Sequence, residues 1–166
     1  MPKLIKNNAI VENEWALLDK DTTLSEVLVH PSENLLIPVN LWLSGKADLQ
    51  ESGKTFGVWL DSNESPDLIS IDVDYLQLIA LNFPTFMDGR SYTNAATLRQ
   101  RYAYKGELRA IGDVLRDQLF YMKRCGFDSF EIRDEVKDED ALSAFNDFST
   151  NYQATVEEPV PLYRRR

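Results

Sequence analysis

The second half of the chain alternates short apolar runs with amphipathic segments, and this alternation restricts the fold more than any other feature of the sequence. Apolar runs of strand length occur at residues 56–60, 77–83, 108–112 and 129–133. Amphipathic segments of helical period separate the last three, at residues 91–104 and 114–125. A strand that is apolar along its whole length is usually covered on both faces, as in parallel sheets. We therefore predict repeated βαβ units, with the last three strands as parallel neighbours.

The fold class that follows is α/β, with a mainly parallel sheet that is either part of a β/α barrel or a small open sheet. A complete eight-stranded barrel needs about 250 residues, and this chain has 166. Short apolar pieces at residues 4–5 and 10–11 flank Asn7 and Asn8, which predicts an N-terminal β-hairpin. Residues 44–55 carry two glycines and several charges, so we expect an exposed loop there.

This pattern predicts one α/β domain over residues 1–150, in which the hairpin covers residues 1–18 and the βαβ core covers residues 56–150. A last helix is expected from Asp138 onward, with its apolar face at residues 141, 142, 145 and 148. The helical period fades after Thr150. We therefore expect a loose or docked C-terminal tail over residues 151–166.

Composition restricts the partners and the compartment. The net charge of −9 argues against nucleic-acid binding, because phosphate contacts need clustered Lys and Arg. The sequence contains no apolar run of about eighteen residues, so we expect no membrane span. The single cysteine, Cys125, cannot form an internal disulfide framework. A reducing compartment, the cytoplasm, is therefore the expected location.

The charge is distributed unevenly along the chain. Residues 84–125 hold eight basic and four acidic side chains, whereas residues 126–158 hold two basic and ten acidic ones. These runs are interpreted either as solvated helix faces or as an anion-binding surface beside an acidic flank that docks a partner. The charge pattern alone is compatible with both interpretations.

Polar side chains follow each of the last three predicted strands, where parallel α/β folds place their functional groups. Three arginines are candidates for binding an anion at these strand ends: Arg90, Arg116 and Arg133. Candidate supporting residues are Asp88, Gly89, Ser91, Gly112 and Asp113. Guanidinium groups beside the free N–H groups of a helix start suit an oxyanion.

The same residues have structural interpretations. Asp113 is expected to cap the helix that follows it, because Asp accepts well from first-turn N–H groups. Gly89 and Gly112 are compatible with tight turns. Arg90 is alternatively a buried partner of Asp88 or Asp113.

Common motifs of cofactor binding and catalysis do not occur in the sequence. The dinucleotide fingerprint G-x-G-x-x-G, the P-loop and the G-x-S-x-G elbow are absent. One cysteine and one histidine, His30, are too few for an iron–sulfur cluster or a metal site built from those residues. We therefore expect no cofactor and no metal, and the catalytic residues stay unknown. Whether the chain is an enzyme is left open.

Residues 77–152 resemble a bacterial domain-of-unknown-function family that is labelled as an oxidoreductase of sulfite reduction and encoded near assimilatory sulfite reductase. The resemblance is carried by the blocks LIALNFPTFMDGRSYTNAATLRQRYAYKGELRAIGDVLRDQLFYMKRCGFDSFEIRD and ALSAFNDFSTNYQ. The segments IVENEWALL and LLIPVNLWL are similar to the family more loosely. The resemblance implies a role in sulfur assimilation, and it brings no cofactor or catalytic residue.

Three functional hypotheses follow. The chain is an accessory protein that docks on sulfite reductase or its electron donor, a small enzyme with an oxyanion site, or a module that binds a sulfur metabolite. The first is favoured, because segregated charge suits an electrostatically steered partner. A partial barrel also leaves strand edges unpaired, so association into a homo-oligomer or a complex is expected.

Overall fold

The computed structural model describes residues 3–85 and 87–146, which form eight strands and five α-helices. The strands are β1 (Lys3–Lys6), β2 (Ala9–Val11), β3 (Ala16–Leu17), β4 (Asn34–Pro38), β5 (Thr55–Leu60), β6 (Leu78–Phe83), β7 (Glu107–Gly112) and β8 (Ser129–Ile132). The helices are α1 (Leu24–Leu28), α2 (Val39–Glu51), α3 (Arg90–Gln100), α4 (Leu119–Cys125) and α5 (Asp138–Ser143). None of them is long and apolar enough to span a membrane.

All eight strands belong to one sheet, in the order β2-β1-β8-β7-β6-β5-β4-β3. Strands β3 to β8 are parallel neighbours in chain order. Strand β1 pairs antiparallel with both β8 and β2, and Asn7 and Asn8 form the left-handed turn of the hairpin. The α/β class, the parallel pairing of the last strands and the N-terminal hairpin are therefore confirmed.

The sheet is curled, and the connection between its two edge strands shows why. A flat sheet of eight strands is about 34 Å wide between edge strands, at about 4.8 Å per strand. Strands β2 and β3 lie at opposite edges, yet only residues 12–15 connect them. Five Cα–Cα steps span at most about 19 Å. The edges must therefore approach each other, which gives a half-barrel closed on one side by residues 12–15.

Helices lie on the convex face, because successive crossovers in one direction with the same hand place them on the same side. On β6, Ile79, Leu81 and Phe83 point to this side and join the large hydrophobic core. Leu78 and Ala80 point to the concave side and belong to a smaller cluster, against which Trp15 packs. Both faces of the central strands are therefore buried, as their continuous apolar sequence predicts.

The predicted loop over residues 44–55 is wrong, because α2 continues to Glu51. Gly45 leaves helical geometry locally, at φ −119° and ψ 18°, without ending the helix. A Cβ atom at this position would lie 2.9 Å from Cδ1 of Leu24, so the glycine allows α1 to pack closely on α2. Leu49 then returns to the core and is fully buried.

The predicted helices of the second half are shorter in the structure. Helix α3 ends at Gln100, and Ala103 adopts a positive φ of 53°. This turn buries Tyr104, whose hydroxyl group donates to the carbonyl oxygen of Leu76 at 2.9 Å. The segment predicted as helix over 114–125 divides into a 3-10 turn, Arg116–Gln118, and helix α4.

The sequence predicted Asp113 as the N-cap of the following helix, and this prediction is wrong. Gln118 occupies that position for α4, and the Asp113 carboxylate accepts from Arg133 instead. The last helix begins at Asp138 as predicted and continues into a 3-10 turn, Ala144–Asn146. The expected apolar contact of residue 148 and the predicted tail over residues 151–166 lie outside the described residues.

Candidate functional site

The C-terminal ends of the parallel strands form one mouth of the half-barrel, and the loop before α3 lies there. The Asp88 carboxylate accepts from Nε of Arg90 at 3.0 Å and from Nη2 at 2.7 Å. It also accepts from the backbone N–H of Arg90 at 3.1 Å and from the hydroxyl group of Ser62 at 2.6 Å. Arg90 Nη2 donates to Ser62 Oγ in addition. Three residues thus form a closed hydrogen-bonded ring.

This ring shifts both charged groups towards their ionised forms. Hydrogen bonds from Arg90 and then from Ser62 hold the pKa of Asp88 well below its usual range. The hydrogen bond to Asp88 raises the pKa of Arg90. The Arg90 side chain is nevertheless 61% exposed, whereas that of Asp88 is 14% exposed. The pair is therefore anchored on its carboxylate and open to solvent on its guanidinium.

Of the three arginines predicted to bind an oxyanion, only Arg90 lies at this point, and it donates to Asp88. The guanidinium of Arg90, a first-turn N–H of α3 and a hydroxyl group all point at one carboxylate. The Asp88 carboxylate thus occupies the position beside Arg90 where an external anion was expected. Arg90 Nη1 has no hydrogen bond to any residue that the structure describes. The N–H groups of this nitrogen therefore stay available to a ligand.

Supporting residues of the predicted site tie the mouth to the sheet. Gly89 occupies the N-cap position of α3, and the buried Ser91 donates through its hydroxyl group to the carbonyl oxygen of Asn82 at 2.8 Å. Gly112 has a φ of +89°, and a Cβ atom there would lie 2.3 Å from Oδ1 of Asn82 and 2.5 Å from the Phe83 carbonyl oxygen. Only glycine fits at this point.

Arg116 follows β7 and Arg133 follows β8, and the two have different partners. Arg116 donates from Nε to the Asp140 carbonyl oxygen at 3.1 Å and from Nη2 to Ser143 Oγ at 3.2 Å, which ties it to α5. Arg133 pairs with Asp113 at 2.7 Å. Neither contacts the ring at Arg90 in the interactions that the structure gives, so anion binding by the three arginines together stays a prediction.

An open cleft lies beside Arg90, with a volume of about 360 Å³. Its lining is polar throughout: Ser62, Asn63, Glu64, Ser65, Arg90, Thr93 and Asn94. One guanidinium and one carboxylate face this space among amide and hydroxyl groups. The cleft can therefore accept a small polar ligand by hydrogen bonds.

Sequence reasoning missed a second charged network at the same mouth. Asp61 directly follows β5 and accepts from Nδ2 of Asn82 at 3.1 Å and from the N–H of Ser62 at 2.9 Å. Lys20 lies 3.1 Å from Glu64 and 3.5 Å from Asp61. The position of Asp61 after a strand was a usable signal, whereas nothing in the sequence placed Lys20 here.

Opposing effects determine the protonation of this network. Burial alone would raise the pKa of Asp61, but hydrogen bonds from Asn82, Ser62 and Lys20 outweigh it and lower that pKa. Burial acts to lower the pKa of Lys20, and the carboxylates of Glu64 and Asp61 reverse this and raise it. Both groups are therefore held in their charged forms.

A third polar cluster, also missed, lies on the concave face. The Glu107 carboxylate accepts from Nη2 of Arg109 at 2.7 Å, from Ser129 Oγ at 2.6 Å and from Lys6 Nζ at 3.0 Å. Arg109 is buried and donates from Nη1 to Oδ1 of Asn13 at 3.0 Å. This contact attaches the closing segment, residues 12–15, to the inside of the half-barrel.

Glu131 lies beside this concave cluster, and burial raises the pKa of its carboxyl group while the charge of Arg109 opposes the rise. Its Oε2 atom is buried and has no hydrogen-bond partner among the described residues. Within the described ranges, no group of three or more His, Cys, Asp and Glu side chains is arranged to hold a metal ion.

Comparison with known proteins places the chain in a family. The sequence model of a bacterial protein of unknown function, DUF934, matches residues 57–163, and a search of curated proteins finds no match. The matched stretch includes β6 to β8 and every residue of the predicted anion site. Because the match covers more than half of the chain, the protein belongs to the DUF934 family of bacterial proteins of unknown function.

Proposed function

We propose that the protein is an accessory protein of assimilatory sulfite reduction, which docks on sulfite reductase or on its electron donor. The resemblance of residues 77–152 to a family encoded near assimilatory sulfite reductase supports the pathway. The accessory role is supported by the ion pairs that the charged side chains at the strand ends form with one another.

This pairing is the observation that carries the proposal. Fold-level reasoning locates chemistry at the C-terminal strand ends. There, Asp88 is held by Arg90, and Asp113 is held by Arg133. A substrate that bound the paired nitrogen atoms of either arginine would have to displace a carboxylate at 2.7 Å. The charged groups at this mouth are thus suited to stabilising loops, which leaves the outer surface for binding another protein.

The distribution of charge supports a docking role independently. A basic stretch over residues 84–125 is followed by an acidic stretch over residues 126–158 in a chain of net charge −9. Complementary charge on two proteins accelerates their encounter and selects against wrong partners. A protein of this charge is suited to a partner with a basic surface.

Growth of a deletion strain tests the pathway. A bacterium that lacks the gene should grow poorly with sulfate or sulfite as sole sulfur source and normally with sulfide or cysteine, because the defect lies in the reduction of sulfite. The wild-type gene in trans should restore growth. Wild-type growth of the deletion strain on sulfite would contradict the proposal.

Complementation with Arg90→Ala separates the accessory role from a reaction at the mouth. An accessory protein should tolerate this change, so growth on sulfite should be restored. If the variant is folded and present at the normal level but fails to restore growth, the mouth itself acts on a ligand.

The second candidate function is a small enzyme or binding module for an oxyanion at the same mouth. One observation favours it: Arg90 lines the cleft of about 360 Å³, and its Nη1 atom has no hydrogen bond to a described residue. Titration calorimetry with sulfite and sulfate tests it. Arg90→Ala should abolish binding, and Arg101→Ala, whose side chain is 68% exposed outside that cleft, is the control.

A further inference from the structure

Another cavity lies at the N-terminal end of β8, on the opposite side of the sheet from the mouth. It has a volume of about 200 Å³ and is lined by Asn7, Asn8, Lys123, Phe127, Asp128 and Phe130. Three parts of the chain meet there: the turn between β1 and β2, the last turn of α4 and the start of β8. The antiparallel pairing of Lys6 with Ser129 brings the hairpin turn to this place. The cavity is here called the hairpin pocket.

The inner part of the hairpin pocket is apolar and its rim is polar. Phe127 and Phe130 are 1% and 2% exposed and belong to the large hydrophobic core, with ring centroids 6.5 Å apart. Asn7 and Asn8 are exposed, and their positive φ angles of 54° and 60° belong to a turn that is fixed by strand pairing. A ligand that enters therefore meets amide groups at the rim and aromatic rings inside.

Lys123 supplies a positive charge to this pocket. Its Nζ atom lies 5.6 Å from the ring centroid of Phe145, a cation–π contact that orients the ammonium group. No oxygen atom of a described residue accepts a hydrogen bond from it. An ammonium group carries three donors, so Lys123 can bind an anion without breaking an ion pair. Arg90 at the mouth differs, because its guanidinium already holds Asp88.

Two neighbouring ion pairs leave the charge of Lys123 uncompensated. Asp128 accepts from a backbone N–H group at 2.8 Å and from Nη2 of Arg99 at 3.3 Å. Lys6, beside the hairpin turn, pairs with Glu107 at 3.0 Å. Because Arg99 counters the charge of Asp128, this carboxylate opposes an incoming anion less than an unpaired one would. The pocket is therefore complementary to a negative group at Lys123.

We propose that the hairpin pocket binds a small organic acid, whose carboxylate accepts from Lys123 and the asparagine amides and whose apolar body lies against Phe127 and Phe130. A cavity of about 150 Å³ accepts benzene, so a volume of about 200 Å³ suits a ligand of about six to eight non-hydrogen atoms. An inorganic anion would leave the aromatic wall without a contact. A purely apolar ligand would desolvate the ammonium group without giving it an acceptor.

An NMR titration of the full chain with isovalerate tests the proposal. We expect saturable shifts of the backbone amide resonances of Asn7, Asn8 and Asp128. Isovaleramide, which has the same shape and no charge, should bind at least tenfold more weakly. Acetate, which keeps the charge and lacks the branched apolar body, should bind at least fivefold more weakly.

Three results of this titration would overturn the proposal. They are the absence of saturable shifts at millimolar isovalerate, equal affinity for the three compounds, and shifts confined to Thr93 and Asn94, which would assign binding to the mouth. The inference does not rest on the proposed accessory function, because the pocket and the mouth lie at opposite ends of the strands. Its failure would leave the growth phenotype of the deletion strain unaffected.

Variants of the charged residues test the role of Lys123. Lys123→Met keeps an apolar stem beside Phe145 and should weaken isovalerate binding at least tenfold, whereas Lys105→Met, at an exposed position, should bind as the wild type does. Asp128→Asn keeps an acceptor for the backbone N–H group and removes a negative charge, so it should bind isovalerate at least as tightly as the wild type. A dispersed NMR spectrum verifies that each variant is folded. Equal losses in the two lysine variants, or weaker binding by Asp128→Asn, would overturn the proposal.

Discussion

Asp88 and Arg90 bind each other through both oxygens of the carboxylate, although only one residue separates them in the chain. Nε of Arg90 lies 3.0 Å from Oδ1, and Nη2 lies 2.7 Å from Oδ2. The backbone N–H of Arg90 donates to the same carboxylate, so Asp88 also supplies an acceptor at the start of α3. One side chain thus neutralises a guanidinium and satisfies a helix terminus.

Removal of this carboxylate should create an anion site. In Asp88→Ala, the guanidinium of Arg90, its N–H group and the Ser62 hydroxyl group lose their common acceptor. We expect sulfate or sulfite to bind this variant at least tenfold more tightly than the wild type, as measured by titration calorimetry. The double variant Asp88→Ala/Arg90→Ala is the control and should bind neither anion. Equal anion affinity in the wild type and Asp88→Ala would contradict this view of the ring.

Gly112→Ala should destabilise the fold, because a Cβ atom would lie 2.3 Å from Asn82 Oδ1 at a φ of +89°. Backbone strain and overpacking together should cost about 2–5 kcal/mol in the free energy of unfolding by urea. Gly53→Ala is a matched control at a φ of +78° with no atom within 4 Å of the new Cβ. It should cost only about 1–2 kcal/mol. Equal costs for the two variants would show that the crowding at Gly112 relaxes.

Arg109→Ala should be one of the most destabilising single changes on the concave face. The Arg109 side chain is 2% exposed and pairs with Glu107, which would be left without its main counter-charge. Loss of one partner of a buried ion pair costs about 3–5 kcal/mol. Arg133→Ala, whose side chain is 56% exposed in its pair with Asp113, should cost about 1 kcal/mol or less. Urea unfolding of both variants is the measurement, and a loss below that of Arg133→Ala would contradict the structural role.

Glu131 should make the stability depend on pH. Burial raises the pKa of its carboxyl group above the unfolded value of about 4.3. Between these two pKa values, the Glu131 carboxyl group is protonated in the folded state and ionised in the unfolded state. Its contribution to the free energy of unfolding is therefore complete below the unfolded pKa and is lost as the pH rises through the folded pKa.

Glu131→Gln therefore should raise the melting temperature at pH 8 relative to the wild type, because the variant has no charge to bury. The difference should disappear at about pH 4, where the wild-type carboxyl group is protonated. Glu135→Gln, at an exposed position, should show no such pH-dependent difference. A difference for Glu131→Gln that stays constant from pH 4 to pH 8 would assign the effect to packing.

Part of the candidate site was predictable, because strand ends can be located from local patterns. The rule that function collects after parallel strands led to Asp88, Arg90 and Gly112, and all three lie at one mouth of the half-barrel. Which partner each side chain takes was not predictable. The sequence predicted Asp113 as a helix cap, but the helix starts at Leu119. The Asp113 carboxylate accepts from Arg133, which follows β8.

Several elements could be predicted because the patterns that specify them are local. Continuous apolar runs specified β6 to β8 as buried parallel strands, and Asn7 with Asn8 specified the hairpin turn. The length of α2 could not be predicted, because Gly45 is accommodated by packing against Leu24. The closure of the half-barrel and the Lys20–Glu64 pair could not be predicted either. Each of these depends on contacts between residues far apart in the chain, and a pattern within one segment carries no information about the segment that will pack against it.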